Sequence, residues 1–364
     1  MPQANATLEI DRSDLSRTRI LAESLPELEA GQVRFRIERV ALTANTVTYA
    51  VTGDQLGYWN FFPAAAGWGR VPAMGWAQVV ESRCEGVPVS GRYYGWFPIA
   101  QHVDVQAVAT ADGLRDEGAH RASHAPVYRA FTRTDRDAFY EPGADLEDRH
   151  ALLRGLFITS YLADDFLADS SYFGASQVLL LSASSKTAIA LAQCAADRKL
   201  GRVIGLTSRR NLDFVSRLPW YDSALAYEDI ASLPADTDTV SVDMSGNGEV
   251  LARVHAHFGD RLRYSMVIGR SHHDAPPRAS SMPGPRPAFF FAPQQVKKRI
   301  DDWGVAGYQQ RLATALHVFV EASRDWLVIE RFHGADEAAA AWSRAFAGAV
   351  GPEAGYMVSL QAQA

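Results

Sequence analysis

The sequence predicts a two-domain α/β protein, in which a barrel-like β domain is joined to a domain built on a parallel sheet. Two observations lead to this fold class. Residues 33–110 contain short segments rich in apolar and β-branched residues, separated by glycine and proline. From about residue 150, apolar runs alternate with amphipathic stretches, which indicates βαβ units. A length of 364 residues also exceeds what one ordinary hydrophobic core supports.

The first part of the chain predicts strands. Strict alternation indicates a strand over residues 33–40, and shorter strands are expected at 78–80 and 102–105. Residues 111–148 are polar, with mixed charge and several His and Arg side chains. We therefore expect an irregular connection or an insertion there.

The second part predicts strands and helices in alternation. Strands are expected at 178–181, 203–207, 239–243, 265–268 and 288–291. Helices are expected at 151–167 and 187–197, with one or two more over 294–323. The tail predicts a strand at 326–332, a helix at 335–346 and a strand at 356–360.

Composition excludes several classes of function. Hydrophobic residues make up 47% and charged residues 21%, which is typical of a globular protein. A net charge of -6, without a long basic run, argues against nucleic acid as a partner. We found neither a secretory signal nor an apolar stretch of bilayer length, so we expect a cytoplasmic protein that does not enter membranes. Two cysteines are too few for a disulfide framework or a four-cysteine zinc site.

Three segments resemble the medium-chain dehydrogenase/reductase superfamily. Residues 42–49, followed by Gly53, are similar to its Asn-Pro-x-Asp segment and a later glycine. Residues 71–80 are similar to the segment in which zinc-dependent members have Gly-His-Glu, and the tail matches the return of the chain into the first domain. The similarity points to the zinc-free quinone-reductase and enoyl-reductase branches, and particularly to an uncharacterised family of this type with unknown function.

This resemblance implies a GroES-like β-barrel catalytic domain and a Rossmann domain with a doubly wound parallel sheet. The catalytic domain would span residues 1–149 and 326–364, and the nucleotide-binding domain residues 150–325. The resemblance also implies a hydrophobic small-molecule substrate and a homodimer, because relatives commonly pair.

No metal is expected. Zinc-dependent members bind the ion through a Cys and a His-Glu pair, whereas the matching places here hold Thr43 to Asn45 and Gly75 to Ala77. His272 and His273 are adjacent, a pair more typical of a surface loop than of a metal site. We predict a zinc-independent protein.

A serine-rich turn follows the strand at 178–181. Family members place a glycine-rich turn here, where backbone N–H groups and a helix N-terminus face the coenzyme pyrophosphate. In register, Ser182, Ser185 and Ala188 replace the glycines. The candidate pyrophosphate contacts are Ser182, Ser184, Ser185, Lys186 and Thr187. The alternative is an ordinary strand-to-helix connection with a serine N-cap.

The next strand favours NADPH over NADH, so the expected cofactor is NADP. It ends in Ser208, Arg209 and Arg210, and a guanidinium can bind a 2′-phosphate through two hydrogen bonds. The sequence shows no carboxylate at this strand end that would repel the phosphate. Alternatively, the two arginines form a solvated loop pair. Ser245 and Gly269 follow later strands and are further candidate cofactor contacts.

Tyrosine is the expected proton donor when zinc is absent. In enoyl-reductase relatives a tyrosine lies just beyond the glycine matched by Gly53, which favours Tyr58, five residues on. The second candidate is Tyr49, which precedes Gly53. Asn45 would orient cofactor or substrate. The alternative is that both tyrosines are packing residues with satisfied hydroxyls.

An aromatic stretch at 58–62, with Trp68 and Trp76, predicts either the wall of a hydrophobic pocket or a sealed core or subunit contact. The function expected from all these features is an NADPH-dependent, zinc-free reductase of an activated double bond, a quinone or a related carbonyl compound. Two alternatives stay open. One is an enzyme that uses the fold without hydride chemistry, and the other is a catalytically silent nucleotide-binding protein.

Overall fold

Strands and helices are taken from a computed structural model, which describes residues 4–199, 201–268 and 282–361. The strands are β1 (Ala4–Asp11), β2 (Thr18–Ser24), β3 (Gln32–Leu42), β4 (Trp68–Gly69), β5 (Ala73–Ser82), β6 (Arg92–Phe97), β7 (His102–Ala109), β8 (Gly113–Asp116), β9 (Ala130–Arg133), β10 (Gln177–Leu181), β11 (Arg202–Thr207), β12 (Ser223–Ala226), β13 (Thr239–Asp243), β14 (Leu262–Val267), β15 (Ala288–Phe289), β16 (Val328–His333) and β17 (Ala354–Ser359). The helices are α1 (Ala44–Val51), α2 (Gly53–Leu56), α3 (Pro126–Arg129), α4 (Ala144–Asp169), α5 (Lys186–Arg198), α6 (Leu212–Ser216), α7 (Gly248–Phe258), α8 (Ala292–Ala322) and α9 (Gly334–Phe346).

These elements fall into two units. The first comprises Met1–Leu152 and Leu327–Ala364, and the second comprises Leu153–Trp326. Within the described residues, no helix has the length and apolar character needed to cross a membrane.

The first unit is built on a closed barrel. Its strands follow the order β3-β5-β6-β9-β8-β7, and β7 pairs back with β3 to close the ring. The tail adds β17 antiparallel to β3, and β16 parallel to β17. The expectation of an irregular connection over residues 111–148 is wrong in part, because β8 and β9 lie there and complete the barrel. Each has only four residues, too few to show a periodic pattern.

Aromatic rings fill this barrel. Phe35 packs against Tyr93, Phe97 and Phe131, with ring centroids 5.2–5.4 Å apart. Gly95 leaves the space for one of these rings, because a Cβ there would lie 2.4 Å from Phe131. Much of the aromatic stretch at 58–62 is likewise buried: its core members are Trp59, Phe61 and Phe62. These three side chains therefore seal the interior of the unit.

Buried ion pairs anchor the start of α4. Glu147 accepts hydrogen bonds from Arg92 at 2.8 Å, from Tyr140 at 2.7 Å and from Arg39 at 2.6 Å. Arg39 also pairs with Asp148, whose side chain is 1% exposed. Helix α4 consequently begins at Ala144, several residues before the predicted start at 151.

The second unit contains a six-stranded sheet in the order β12-β11-β10-β13-β14-β15. All its neighbouring strands are parallel. From β10 the chain adds strands outward on one side up to β12, and from β13 it adds strands outward on the other side. Dinucleotide-binding folds have the same change of direction at the centre of the sheet. The predicted fold class, a GroES-like barrel with a doubly wound parallel sheet, is confirmed. The central strand β10 is buried along its whole length, which explains its continuous apolar run.

Strand β12 was not predicted, because its residues, Ser-Ala-Leu-Ala, include no β-branched or aromatic side chain. The helical region predicted over 294–323 is confirmed as α8, which is interrupted at Gly304, where φ is 71°.

Candidate functional site

The turn between β10 and α5 has the backbone shape of a glycine-rich turn, although it contains no glycine. Ser182 has a φ of 63°, in the left-handed region that favours glycine. Ser185 then caps α5, and its side chain accepts a hydrogen bond from the N–H of Ala188 at 3.2 Å. Ser182 therefore has the conformation expected of the first glycine in such a turn.

Helix α5 presents its N-terminus at the same place. Lys186 and Thr187 occupy its first two positions, and the whole helix has 13 residues. Helix geometry leaves the first N–H groups without acceptors inside the helix, and the helix dipole makes this end positive. The lysine side chain adds a full charge. This end of α5 therefore attracts anions.

Ser184 connects the turn to the end of β11. Its Oγ accepts hydrogen bonds from Asn211 Nδ2 at 2.9 Å and from Thr207 Oγ1 at 3.2 Å. Tyr221 supports the same turn by donating to the carbonyl oxygen of Ala183 at 2.8 Å. The structure thus gives the Ser184 side chain partners inside the protein, which fix the shape of the turn.

The end of β11 presents one unsatisfied hydroxyl and two exposed arginines. Ser208 Oγ is buried and has no hydrogen-bond partner within the described residues. Arg209 lies 3.0 Å from Asp229 and 3.8 Å from Glu228, and Arg210 is exposed. The sequence argument that no carboxylate lies at this strand end is wrong, because the fold brings these two acids back to it from about 20 residues downstream.

The end of β13 carries a buried carboxylate. Asp243 is 0% exposed, and its Oδ1 accepts hydrogen bonds from the Ser245 hydroxyl at 2.6 Å and the Ser245 N–H at 2.8 Å. Its Oδ2 has no partner among the residues described. Ser245, predicted as a cofactor contact, is itself fully buried, and its hydroxyl donates a hydrogen bond to Asp243. Asp243 is therefore the better candidate at this strand end.

Sequence reasoning missed Tyr227 altogether. Burial raises the pKa of its hydroxyl to about 12, hydrogen bonds with Ser182 oppose that shift, and the charge of Asp243 adds to it. These three residues lie far apart in the chain, at the ends of different elements, so no spacing in the sequence could have linked them. Gly269, the remaining predicted cofactor contact, lies outside the described residues.

In the first unit, the two predicted catalytic tyrosines stand side by side. The rings of Tyr49 and Tyr58 have centroids 4.6 Å apart, and Tyr128 and Trp96 complete the group. Burial raises the pKa of both hydroxyls above the ordinary value for tyrosine. Asn45 is exposed near the start of α1, one turn before Tyr49 and on the same helix face.

A buried arginine lies beneath this aromatic group. Arg121 is 0% exposed and its guanidinium lies 4.5 Å from the centre of the Phe61 ring. Burial lowers its pKa to about 10, against the charge of Asp116, which lies 3.5 Å away. The His124 ring packs against the same ring at a centroid distance of 4.2 Å, tilted by 43°, and contacts the carbonyl oxygen of Gly57 at 3.0 Å. Arg121 and His124 come from the stretch that the sequence suggested was irregular, so neither was predicted here.

The segment compared with the zinc ligands holds a packed tryptophan. Trp76 is fully buried, its ring centroid lies 5.1 Å from Tyr94 and 5.4 Å from His150, and its indole N–H donates to the Glu147 carbonyl at 3.0 Å. Within the described part of the chain, no group of three or more His, Cys, Asp or Glu side chains is arranged to hold a metal ion.

Comparison with protein families gives one match. The model of a family of proteins of unknown function, DUF2855, matches residues 40–351. The chain belongs to this family. No curated protein matches this DUF2855 member.

Solved structures share the fold at low identity. CurA from Vibrio vulnificus is 12% identical, with a TM-score of 0.56 over 98% of this chain and 99% of CurA. The structure of the same protein in complex with NADPH gives a TM-score of 0.55 at 12% identity, over 95% of each chain. The quinone oxidoreductase from Coxiella burnetii is 13% identical, with a TM-score of 0.54 over 99% of this chain and 100% of that one. These likenesses establish that the DUF2855 chain has the fold of quinone-oxidoreductase-type proteins.

Proposed function

We propose that this chain is an NADPH-dependent, zinc-independent reductase of a hydrophobic compound with an activated double bond, a quinone or a related carbonyl group. One observation carries the proposal. Ser182 holds the left-handed turn that directs the N-terminus of α5 to the carboxyl edge of a sheet with dinucleotide-binding strand order. The likeness to a structure solved with NADPH supports the same choice of coenzyme.

The residues at this edge fit a dinucleotide. The α5 N-terminus and Lys186 would hold the pyrophosphate. Asp243 Oδ2 has no partner in the described structure, and a ribose hydroxyl would donate to it. Ser208, Arg209 and Arg210 would hold the 2′-phosphate, since Ser208 Oγ is unsatisfied and both arginines are exposed.

NADPH supplies a hydride when bound, and this chain must supply the proton and the binding of substrate. Reduction of a conjugated carbonyl places negative charge on its oxygen, and a tyrosine hydroxyl can donate a hydrogen bond to that oxygen. Tyr58 is our first candidate, and Tyr49 beside it the second. Burial raises the pKa of both hydroxyls further above neutral, so each one carries a proton that it can donate. Asn45 would orient the substrate, and the surrounding rings would exclude water.

A second function, a nucleotide-binding protein without hydride chemistry, is favoured by one observation. Arg209 already pairs with Asp229, and Ser184 is engaged inside the turn, so two predicted coenzyme contacts have protein partners. This alternative retains NADPH binding but predicts no oxidation of NADPH by any acceptor.

Two measurements test the proposal. The first is the loss of reduced-nicotinamide absorbance when the protein is mixed with NADPH and a panel of quinones and α,β-unsaturated aldehydes and ketones. Turnover of at least one acceptor supports the reductase, whereas NADPH binding with no turnover selects the second function.

The second measurement uses a matched pair of variants. Ser182 and Ser90 both have positive φ, 63° and 72°, but Ser90 is in the other unit. Ser182→Val and Ser90→Val therefore introduce similar backbone strain, because a β-branched residue disfavours this conformation. We expect only Ser182→Val to lose NADPH affinity. Equal affinities in both variants would contradict the placement of the coenzyme at this turn.

A further inference from the structure

An open cavity lies in the unit Leu153–Trp326, among helices α4, α5 and α8. Its volume is about 600 Å³, within the range of small-molecule sites. Helix α4 contributes Phe157 and Tyr161, which are spaced by one helical turn; the Tyr161 ring is partly exposed, and Phe157, only 1% exposed, lies behind it. The part of α8 that follows Gly304 contributes Ala315 and Val318, and Val318 is 52% exposed. One side of the cavity is thus apolar.

Charged side chains of opposite sign face the cavity from α5 and α8. Asp197 is on α5 and Arg311 on α8. Neither forms an ion pair with any residue that the structure describes. The Arg311 guanidinium lies 4.8 Å from the centre of the Trp303 ring, which orients it. Both charged side chains are exposed, and the charge of Lys199 opposes the partial burial that raises the pKa of Asp197.

A buried amide on α5 adds an independent sign of a ligand. Gln193 lines the cavity and precedes Asp197 by one helical turn. Gln193 is 4% exposed, and its buried Oε1 accepts no hydrogen bond within the described chain. Buried acceptors without a donor are uncommon in folded proteins. A donor on a bound molecule would satisfy this oxygen after a small rotation of the amide.

We propose that this cavity binds a free apolar α-amino acid in its zwitterionic form. The ammonium group would donate to Asp197 and Gln193, and the carboxylate would accept two hydrogen bonds from Arg311. The apolar side chain would pack on Phe157 and Tyr161.

This site is separate from the proposed coenzyme turn. Gln193 lies six residues after Thr187 on α5, a rise of about 9 Å along the helix. The amino-acid site therefore does not depend on NADPH binding, and its test does not use activity.

Calorimetric titration of the whole protein tests the proposal with four probes. L-phenylalanine and L-leucine carry both charges, 2-phenylethylamine lacks the carboxylate, and 3-phenylpropionate lacks the ammonium. We expect both amino acids to bind and each one-charge analogue to bind at least about tenfold more weakly, since each loses hydrogen bonds to a charged group. Absence of binding by both amino acids at millimolar concentration would overturn the proposal, as would equal binding of L-phenylalanine and either analogue.

Charge variants then assign the two ends of the ligand. Asp197→Asn should remove the preference for L-phenylalanine over 3-phenylpropionate. Arg311→Gln should remove the preference for L-phenylalanine over 2-phenylethylamine. Asp260→Asn and Arg217→Gln change exposed residues of the same types outside the cavity and should alter neither preference. Preferences that persist in both cavity variants would place the amino acid elsewhere and refute the assignment.

Discussion

Arg209 offers the sharpest test of coenzyme preference, because the structure changes what the sequence alone predicts for it. If its guanidinium binds the 2′-phosphate of NADPH, Arg209→Ala should weaken the binding of NADPH and leave the binding of NADH almost unchanged. The side chain is 60% exposed and pairs with Asp229 at 3.0 Å. Binding of the phosphate must therefore replace or share that existing ion pair.

The magnitude follows from these two interactions. A hydrogen bond to a charged group contributes roughly 1.5–3 kcal/mol, and an exposed ion pair roughly 0.2–1 kcal/mol. Subtracting the middle of the second range from the middle of the first leaves a loss of about 1.6 kcal/mol in NADPH binding, or roughly a 15-fold increase in Kd. Asp229→Asn removes the competing carboxylate, so it should tighten NADPH binding by up to roughly fivefold.

Calorimetric titration of NADPH and NADH into each variant measures both effects. Arg217→Ala, an exposed arginine at the end of α6, is the control and should change neither affinity. Because the contact is exposed, the selective loss in Arg209→Ala should shrink at high salt. Equal losses of NADPH and NADH affinity would mean that Arg209 supports the fold or the pyrophosphate. No loss in Arg209→Ala would refute the contact and leave Arg210 as the remaining candidate.

Three further outcomes are expected. Tyr58→Phe should lower turnover with little change in NADPH affinity, and unaltered turnover would transfer the role to Tyr49, which the same substitution there can test. Elemental analysis after purification without chelators should find no stoichiometric zinc, whereas about one zinc per chain would contradict the sequence argument. Burial raises the pKa of Glu147, but hydrogen bonds from Arg92 and Tyr140 outweigh it and lower the value from 4.5 to about 2. The unfolded chain therefore binds this proton first as the pH falls below 4.5, and the stability due to Glu147 is lost between 4.5 and 2. Urea unfolding across this range should show a weaker pH dependence in Glu147→Gln, by up to about one proton, and identical slopes would contradict the predicted shift.

The fold could be predicted because the strands of the parallel sheet have a recognisable residue pattern in the sequence. Strands such as β10 and β13 are buried on both faces, so they appear as short apolar runs between amphipathic helices. The strands that close the barrel, β8 and β9, have no such pattern. Each has four residues and pairs with a neighbour that the sequence does not identify.

The candidate site could be predicted only where it depends on neighbours in the chain. The turn from Ser182 to Thr187 is one continuous segment, so its place between a strand and a helix was evident. The acids beside Arg209 and the group formed by Tyr227 and Asp243 depend on contacts between distant loops. Arg121 was missed for a similar reason, since a buried arginine under an aromatic ring cannot be distinguished in sequence from an exposed one.

Hydrogen–deuterium exchange of the whole protein, with and without NADPH, tests the central claim most directly, since it shows both binding and place. The coenzyme would contact N–H groups at the start of α5 and the end of β11. We predict slower exchange on addition of NADPH in peptides covering residues 182–189 and 208–211, and unchanged exchange in peptides covering Ser90. Exchange that stays the same throughout, or slows only outside those two segments, would contradict a coenzyme site at the carboxyl edge of the parallel sheet.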